Sequence, residues 1–165
     1  MAREIERKFL VKNDSWKTGR PGLPCRQGYL VTGEDITVRV RILGDEGYLT
    51  VKGRTEGISR DEFEYRIPVA DAEAMLGSMC GGGAVEKIRY HVEVKGFTWD
   101  VDEFLGGNKG LVLAEVELED ENQQPEFPDW LGQEVTGEVR YYNAYLAGNP
   151  FSTWKKETAA RIEGH

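Results

Sequence analysis

Histidine is nearly missing from this chain: among 165 residues only His91 and His165 occur. A histidine-ligated zinc centre or a Ser-His-Asp triad has almost nothing to be built from. Cysteine is as scarce. Cys25 and Cys80 do not form a CxxC pair, so neither a disulfide framework nor a thiolate metal site is expected, and free thiols suit a reducing compartment. No apolar run approaches ~18 residues, and the first residues are charged rather than apolar. Neither a membrane span nor a signal peptide is expected, and a cytoplasmic protein follows. Bases are also short, 21 against 29 acids for a net −8, which argues against a broadly basic nucleic-acid surface. Gly81-Gly82-Gly83 lacks the GK[ST] of a P-loop and reads as a helix stop. The expectation is one domain over residues 1–150 with a C-terminal tail over 151–165, a monomer or homodimer with no nucleic-acid or membrane partner.

What is present is strand pattern. Eight runs alternate apolar and polar residues: Glu4–Val11, Arg26–Val31, Ile36–Leu43, Gly47–Lys52, Ser59–Pro68, Ala84–Val94, Phe97–Phe104 and Leu111–Leu118. Gly44-Asp-Glu-Gly47 and Lys95-Gly96 are turn sequences short enough to make antiparallel hairpins of their flanking runs. Helical spacing is seen at Ala72, Met75, Leu76 and Met79 behind a capping Asp71. Pro128-Asp-Trp-Leu opens a second short helix, Arg140–Ala147 reads as a third, and the tail from Trp154 as a further helix. The tryptophans Trp16, Trp99, Trp130 and Trp154 are read as packing residues rather than base-stacking platforms.

The charges fall on one face of these strands. Residues two apart share a face, so Glu4, Glu6 and Lys8 stand in a row with Ile5 and Phe9 opposite. Glu62/Glu64, Asp100/Asp102 and Glu115/Glu117 repeat the arrangement, as do Arg39/Arg41 and Lys87/Arg89, with Lys52 after Val51. Acidic pairs at this spacing are little more frequent than 29 acids in 165 residues give by chance, so placement matters rather than number. Paired carboxylates suit a hard divalent cation and a neighbouring lysine suits its anion. Two or three helices cannot cover eight strands laid open, and closure into a barrel removes exposed edges. A charged interior must be wet, because a desolvated ion costs several kcal/mol. An apolar-in barrel with charges outside is the other arrangement the pattern allows.

The run Glu4-Ile-Glu-Arg-Lys8 resembles the ExExK signature of CYTH domains, the triphosphate tunnel metalloenzymes. Thr37-Val-Arg39-Val-Arg41, Leu49-Thr-Val-Lys52, Glu62-Phe-Glu64, Lys87-Ile-Arg89, Asp100-Val-Asp102, Glu115-Val-Glu117 and Tyr141-Tyr-Asn143 follow in the family's order. The resemblance runs from residue 4 to about 146. It implies a mainly β fold: a closed eight-stranded antiparallel β-barrel with a charged interior and a few short helices outside. It implies that Lys8, Arg39, Arg41, Lys52, Lys87 and Arg89 bind the phosphates of a triphosphate-containing small molecule. Glu4, Glu6, Glu62, Glu64, Asp102, Glu115 and Glu117 would then hold or support Mg²⁺ or Mn²⁺. Glu4, Glu6, Lys8, Arg41 and Lys52 would be the catalytic set, with Glu4 and Glu6 at a second metal that acidifies the attacking water. Tyr29 is expected to be a wall residue. Inorganic tripolyphosphate is the expected substrate; adenylate cyclase, thiamine triphosphatase and a non-enzymic polyphosphate- or nucleotide-binding barrel are the alternatives.

Overall fold

The computed structural model describes residues 3–81 and 83–154. Its order is β1 (Arg3–Val11), β2 (Leu23–Thr32), β3 (Thr37–Leu43), β4 (Glu46–Lys52), β5 (Ser59–Ile67), α1 (Val69–Ser78), β6 (Val85–Val94), β7 (Phe97–Phe104), β8 (Val112–Glu117), β9 (Leu131–Glu134) and α2 (Asn143–Gly148). All pairings are antiparallel, in the order β5-β4-β3-β2-β6-β7-β8-β1, and β1 returns to β5 to close an eight-stranded barrel. Both expected hairpins form, β3 with β4 and β6 with β7. Lys95 (φ 48°) and Gly96 (φ 85°) make the second turn, a pair of positive φ values that matches the right-handed twist of the strands.

Closure is incomplete along β1. Only Arg3–Ile5 pair with Ser59–Asp61 of β5. Further along, Phe9 and Val11 pair with Glu134 and Leu131 of β9. This ninth strand replaces the helix expected from Pro128: Leu131 is needed on the β1 edge, whose backbone groups would otherwise lack partners. The third expected helix is also interrupted. A 3-10 turn at Val139–Tyr141 gives way to an extended Tyr142 before α2 begins. The first helix starts at Val69 behind Pro68, so Asp71 lies in its first turn rather than at its cap.

Alternation sends the apolar residues outward. Phe9, Trp99, Val101, Val116 and Trp130 form one outer cluster, with Phe9–Trp99 and Trp99–Trp130 ring centres 5.7 and 5.8 Å apart. Ala72, Met75 and Leu76 of α1 cover Val40, Ile42 and Leu49. The third cluster lies at one end of the lumen. There the inward positions turn apolar (Leu10, Val85, Phe104, Leu113), and Leu146 of α2 closes over them with Phe151 and Trp154. All four tryptophans are buried and both cysteines are free. No described helix is long and apolar enough to cross a membrane. His165, and the helix expected beyond Trp154, lie outside the described residues.

Candidate active site

The charged faces of the strands meet inside the barrel, around a cavity of about 260 Å³. Its wall carries Lys8, Arg39, Arg41, Lys52, Arg60, Lys87 and Arg89 together with Glu4, Glu6, Glu62, Glu64, Asp100, Glu115 and Glu117. The wet, charged interior is therefore the arrangement adopted, and the apolar-in barrel is not. Strand register explains the mixing: Lys8 lies opposite Glu115, Arg89 opposite Asp102, and Lys52 between Thr37 and Glu62.

Of the six buried cations all but Arg39 hold a carboxylate within 3.4 Å, as the cost of an unpaired buried ion requires, and Arg39 reaches Thr50 at 3.3 Å and Glu64 at 3.6 Å. Lys52 Nζ donates to both Glu4 oxygens at 3.0 and 3.2 Å. Arg89 forks onto Asp102 through Nε and Nη2, both at 2.9 Å, and Lys87 Nζ reaches the same carboxylate at 2.9 Å. Arg41 donates to Glu64 at 3.0 Å, and Lys8 lies 3.4 Å from Glu115. Asp102, only 1% exposed, does not line the cavity. Its oxygens are taken by Arg89 and Lys87, so it orients two cations rather than offering an open ligand. Tyr29 is a buried wall residue whose hydroxyl accepts from Gln27 at 3.0 Å, and burial pushes its phenol up.

The carboxylates divide into two groups. Burial alone would raise all of them. In Glu115 the charges of Lys8 and Arg89 outweigh burial and hold it at about 2. In Asp102, Arg89 and Lys87 do the same and hold it well below the usual range. Glu4 stays at about 2 against burial through its hydrogen bond with Glu62 and the charge of Lys52. Glu6, by contrast, is pushed up to about 8 by burial and by the negative charge of Glu115 and Glu4. Glu62 rises to about 7 through burial and its hydrogen bond with Glu4, and Glu117 is raised by burial and by Glu4. Three carboxylates thus lack sufficient positive charge.

Among the described residues, no three potential ligands are already drawn together tightly enough to hold an ion. The donor chemistry nevertheless fits a divalent cation: hard oxygens, placed as the pair Glu6 and Glu117 across β1 and β8 and as Glu4 and Glu62 on either side of Lys52, and short of counter-charge.

Two kinds of residue were given no site role by the sequence reading. Arg60 shares the inward parity of Glu62 and could have been found by extending the alternation two residues; Asp100 was read in the Asp100/Asp102 pair but given no role of its own. Tyr142 and Asn143 come from outside the barrel. Lys8 Nζ donates to the Tyr141 carbonyl at 3.2 Å and lies 5.3 Å from the Tyr142 ring centre, while Lys87 donates to Asn143 Oδ1 at 3.0 Å. No periodicity signals that contact.

A model of the CYTH domain matches residues 2–147. The chain belongs to the CYTH domain family. Its triphosphate tunnel members depend on a divalent metal. An inorganic triphosphatase of Acetivibrio thermocellus is 51% identical over 156 residues, 94% of this chain and 100% of that protein. An inorganic triphosphatase of Nitrosomonas europaea is 42% identical over 149 residues, 87% of this chain and 96% of that one. A solved inorganic triphosphatase structure, 38% identical, superimposes with a TM-score of 0.63 and covers 88% of this chain and 97% of that one.

Proposed function

We propose that this CYTH protein hydrolyses inorganic tripolyphosphate to orthophosphate and pyrophosphate with the help of Mg²⁺ or Mn²⁺. The observation that carries the reading is the lumen itself, seven cations interleaved with seven carboxylates around one cavity. A triphosphate chain carries about four to five negative charges near neutral pH, since a terminal phosphate bears nearly two. A formally balanced lumen takes up that charge only if cations enter with it, and two divalent ions supply the difference. The triphosphatase relatives support the same substrate class over the cyclase and thiamine triphosphatase alternatives.

Phosphoryl transfer is mostly a matter of positioning and charge stabilisation. Arg39 and Arg41 present guanidinium forks to phosphate oxygens, Arg89 offers the end of its guanidinium that Asp102 leaves free, and Lys8, Lys52 and Lys87 act as point charges. These groups align the chain for in-line attack and neutralise the charge that accumulates on the departing pyrophosphate. Asp102 and Asn143 hold Lys87 in place, and Asp102 also fixes the Arg89 fork. Glu4, Glu6, Glu115 and Glu117 would hold the metal, with Glu62 and Glu64 beside them. When bound, such a metal would offset phosphate charge and lower the pKa of the attacking water.

Phosphate release from tripolyphosphate, ATP and thiamine triphosphate, assayed with each metal, tests the reading. Tripolyphosphate should be the best substrate. Rapid formation of cyclic AMP with tripolyphosphate inert would overturn it.

A further inference from the structure

We propose that Arg60 reads whether the phosphate at its end of the tunnel is a terminal one, and so sets a preference for inorganic tripolyphosphate over triphosphates carrying a further group. The inference rests on the triphosphatase reading above and concerns a residue to which that reading gives no individual role.

Position is the first observation. Arg60 lies on β5 opposite Glu4 of β1. With Thr37, Tyr142 and Ala144 it lines the tunnel, and the same four residues line a second, more open cavity of about 560 Å³. That cavity is walled by the turn between β2 and β3, by the chain after β4 and by Tyr145 of α2. Arg60 therefore stands at the boundary between the two spaces.

Commitment is the second. Lys8, Lys52, Lys87, Arg41 and Arg89 each hold a carboxylate at 3.4 Å or closer, and Arg39 shares Thr50 and Glu64. Arg60 has a single longer contact among the described residues, from Nε to Glu4 Oε1 at 3.5 Å. Lys52 already holds that same oxygen at 3.2 Å. No described residue takes the terminal nitrogens of Arg60, and the side chain keeps 21% exposure. Of the cations lining the tunnel it gives up least in turning to a ligand.

A terminal phosphate offers three non-bridging oxygens and nearly two charges. An inner or esterified phosphate offers two oxygens and one charge, so a guanidinium fork binds the terminal group more strongly. Tripolyphosphate is the same from either end, and a terminal phosphate meets Arg60 whichever way it enters. A substituted triphosphate whose extra group passes this boundary places a singly charged phosphate at Arg60 and its substituent in the second cavity. Specificity is then a difference in affinity generated at one residue.

Arg60→Gln and Arg60→Lys, checked by thermal melting for intact folding, test this against tripolyphosphate and ATP. Arg60→Gln should lower kcat/KM for tripolyphosphate by about tenfold or more, the scale of a charge-assisted contact, and for ATP by less than about threefold. Arg60→Lys, which keeps the charge without the fork, should recover part of the loss. Calorimetric binding of the non-hydrolysable imido analogues of the same two compounds, with Mg²⁺ present, should show the same selective weakening for the tripolyphosphate analogue. Equal losses on both compounds, or no loss on either, would overturn the role of Arg60. A wild-type protein inert toward tripolyphosphate under both metals would instead sink the hydrolase reading, and the binding measurement would then decide on Arg60 alone.

Discussion

Lys52 Nζ sits 3.0 and 3.2 Å from the two carboxylate oxygens of Glu4. On the proposed reading Lys52 holds phosphate and Glu4 holds metal, and in the free protein each satisfies the other. Binding of the metal and its anion exchanges both partners at once. Lys52→Met should therefore cost about 2 kcal/mol of transition-state stabilisation, roughly thirtyfold in kcat/KM. Steady-state phosphate release measures it; a change below about threefold would contradict this placement of Lys52.

The uncompensated carboxylates give the metal-free protein a pH signature. Glu6 and Glu62 are raised to about 8 and about 7 from the usual 4.5. Across that window the folded protein binds more protons than the unfolded chain, so stability falls as pH rises. Glu4 and Glu115, held at about 2, act in the opposite sense, and their contribution is lost as pH falls below 4.5. In EDTA the melting temperature should peak at about pH 5 and decline toward pH 8. Mg²⁺ needs ionised ligands, so its apparent affinity should rise across the same window with proton release. Glu6→Gln should flatten the decline. A melting temperature that climbs from pH 5 to pH 8 in EDTA would contradict the charge distribution.

Arg41 donates one hydrogen bond to Glu64 at 3.0 Å and stacks over Tyr48 at 5.7 Å. Arg41→Lys keeps the charge and loses the fork. Substrate KM should rise about tenfold, and the melting temperature should move by no more than a few degrees. Kinetics and calorimetry on the same preparation separate the two effects.

Leu146 is fully buried against Val85, Phe104 and Leu113 at the closed end of the lumen. Leu146→Ala should destabilise the protein by about 2–5 kcal/mol through the cavity it leaves. Urea denaturation checks this. A loss below 1 kcal/mol would mean that α2 contributes little to closing that end.

Most of the barrel was legible because a β-strand writes its two faces directly into the chain. The Glu4–Glu6–Lys8 row and its counterparts on β3, β5, β6, β7 and β8 can be read at a spacing of two, and the structure turns them all inward. Asp102 was legible as a charged inward residue but not as a partner of Arg89 and Lys87, since register across β6 and β7 decides that. β9 was missed because Leu131-Gly-Gln-Glu134 is too short to alternate. Its strand state comes from the free edge of β1, a tertiary demand that overrides the helix signal of Pro128. The break at Tyr142 was hidden by continuous helical spacing, and what interrupts it is a turn that brings Tyr141, Tyr142 and Asn143 to Lys8 and Lys87. Contacts made by a late segment across the barrel leave no local trace in the sequence.

The central claim is that this lumen binds a triphosphate with divalent metal and cleaves one anhydride bond. Phosphorus NMR of tripolyphosphate incubated with the protein tests it most directly. With Mg²⁺ or Mn²⁺, orthophosphate and pyrophosphate should appear in equal amounts, and EDTA should stop their formation. Tripolyphosphate left intact under both metals would contradict it.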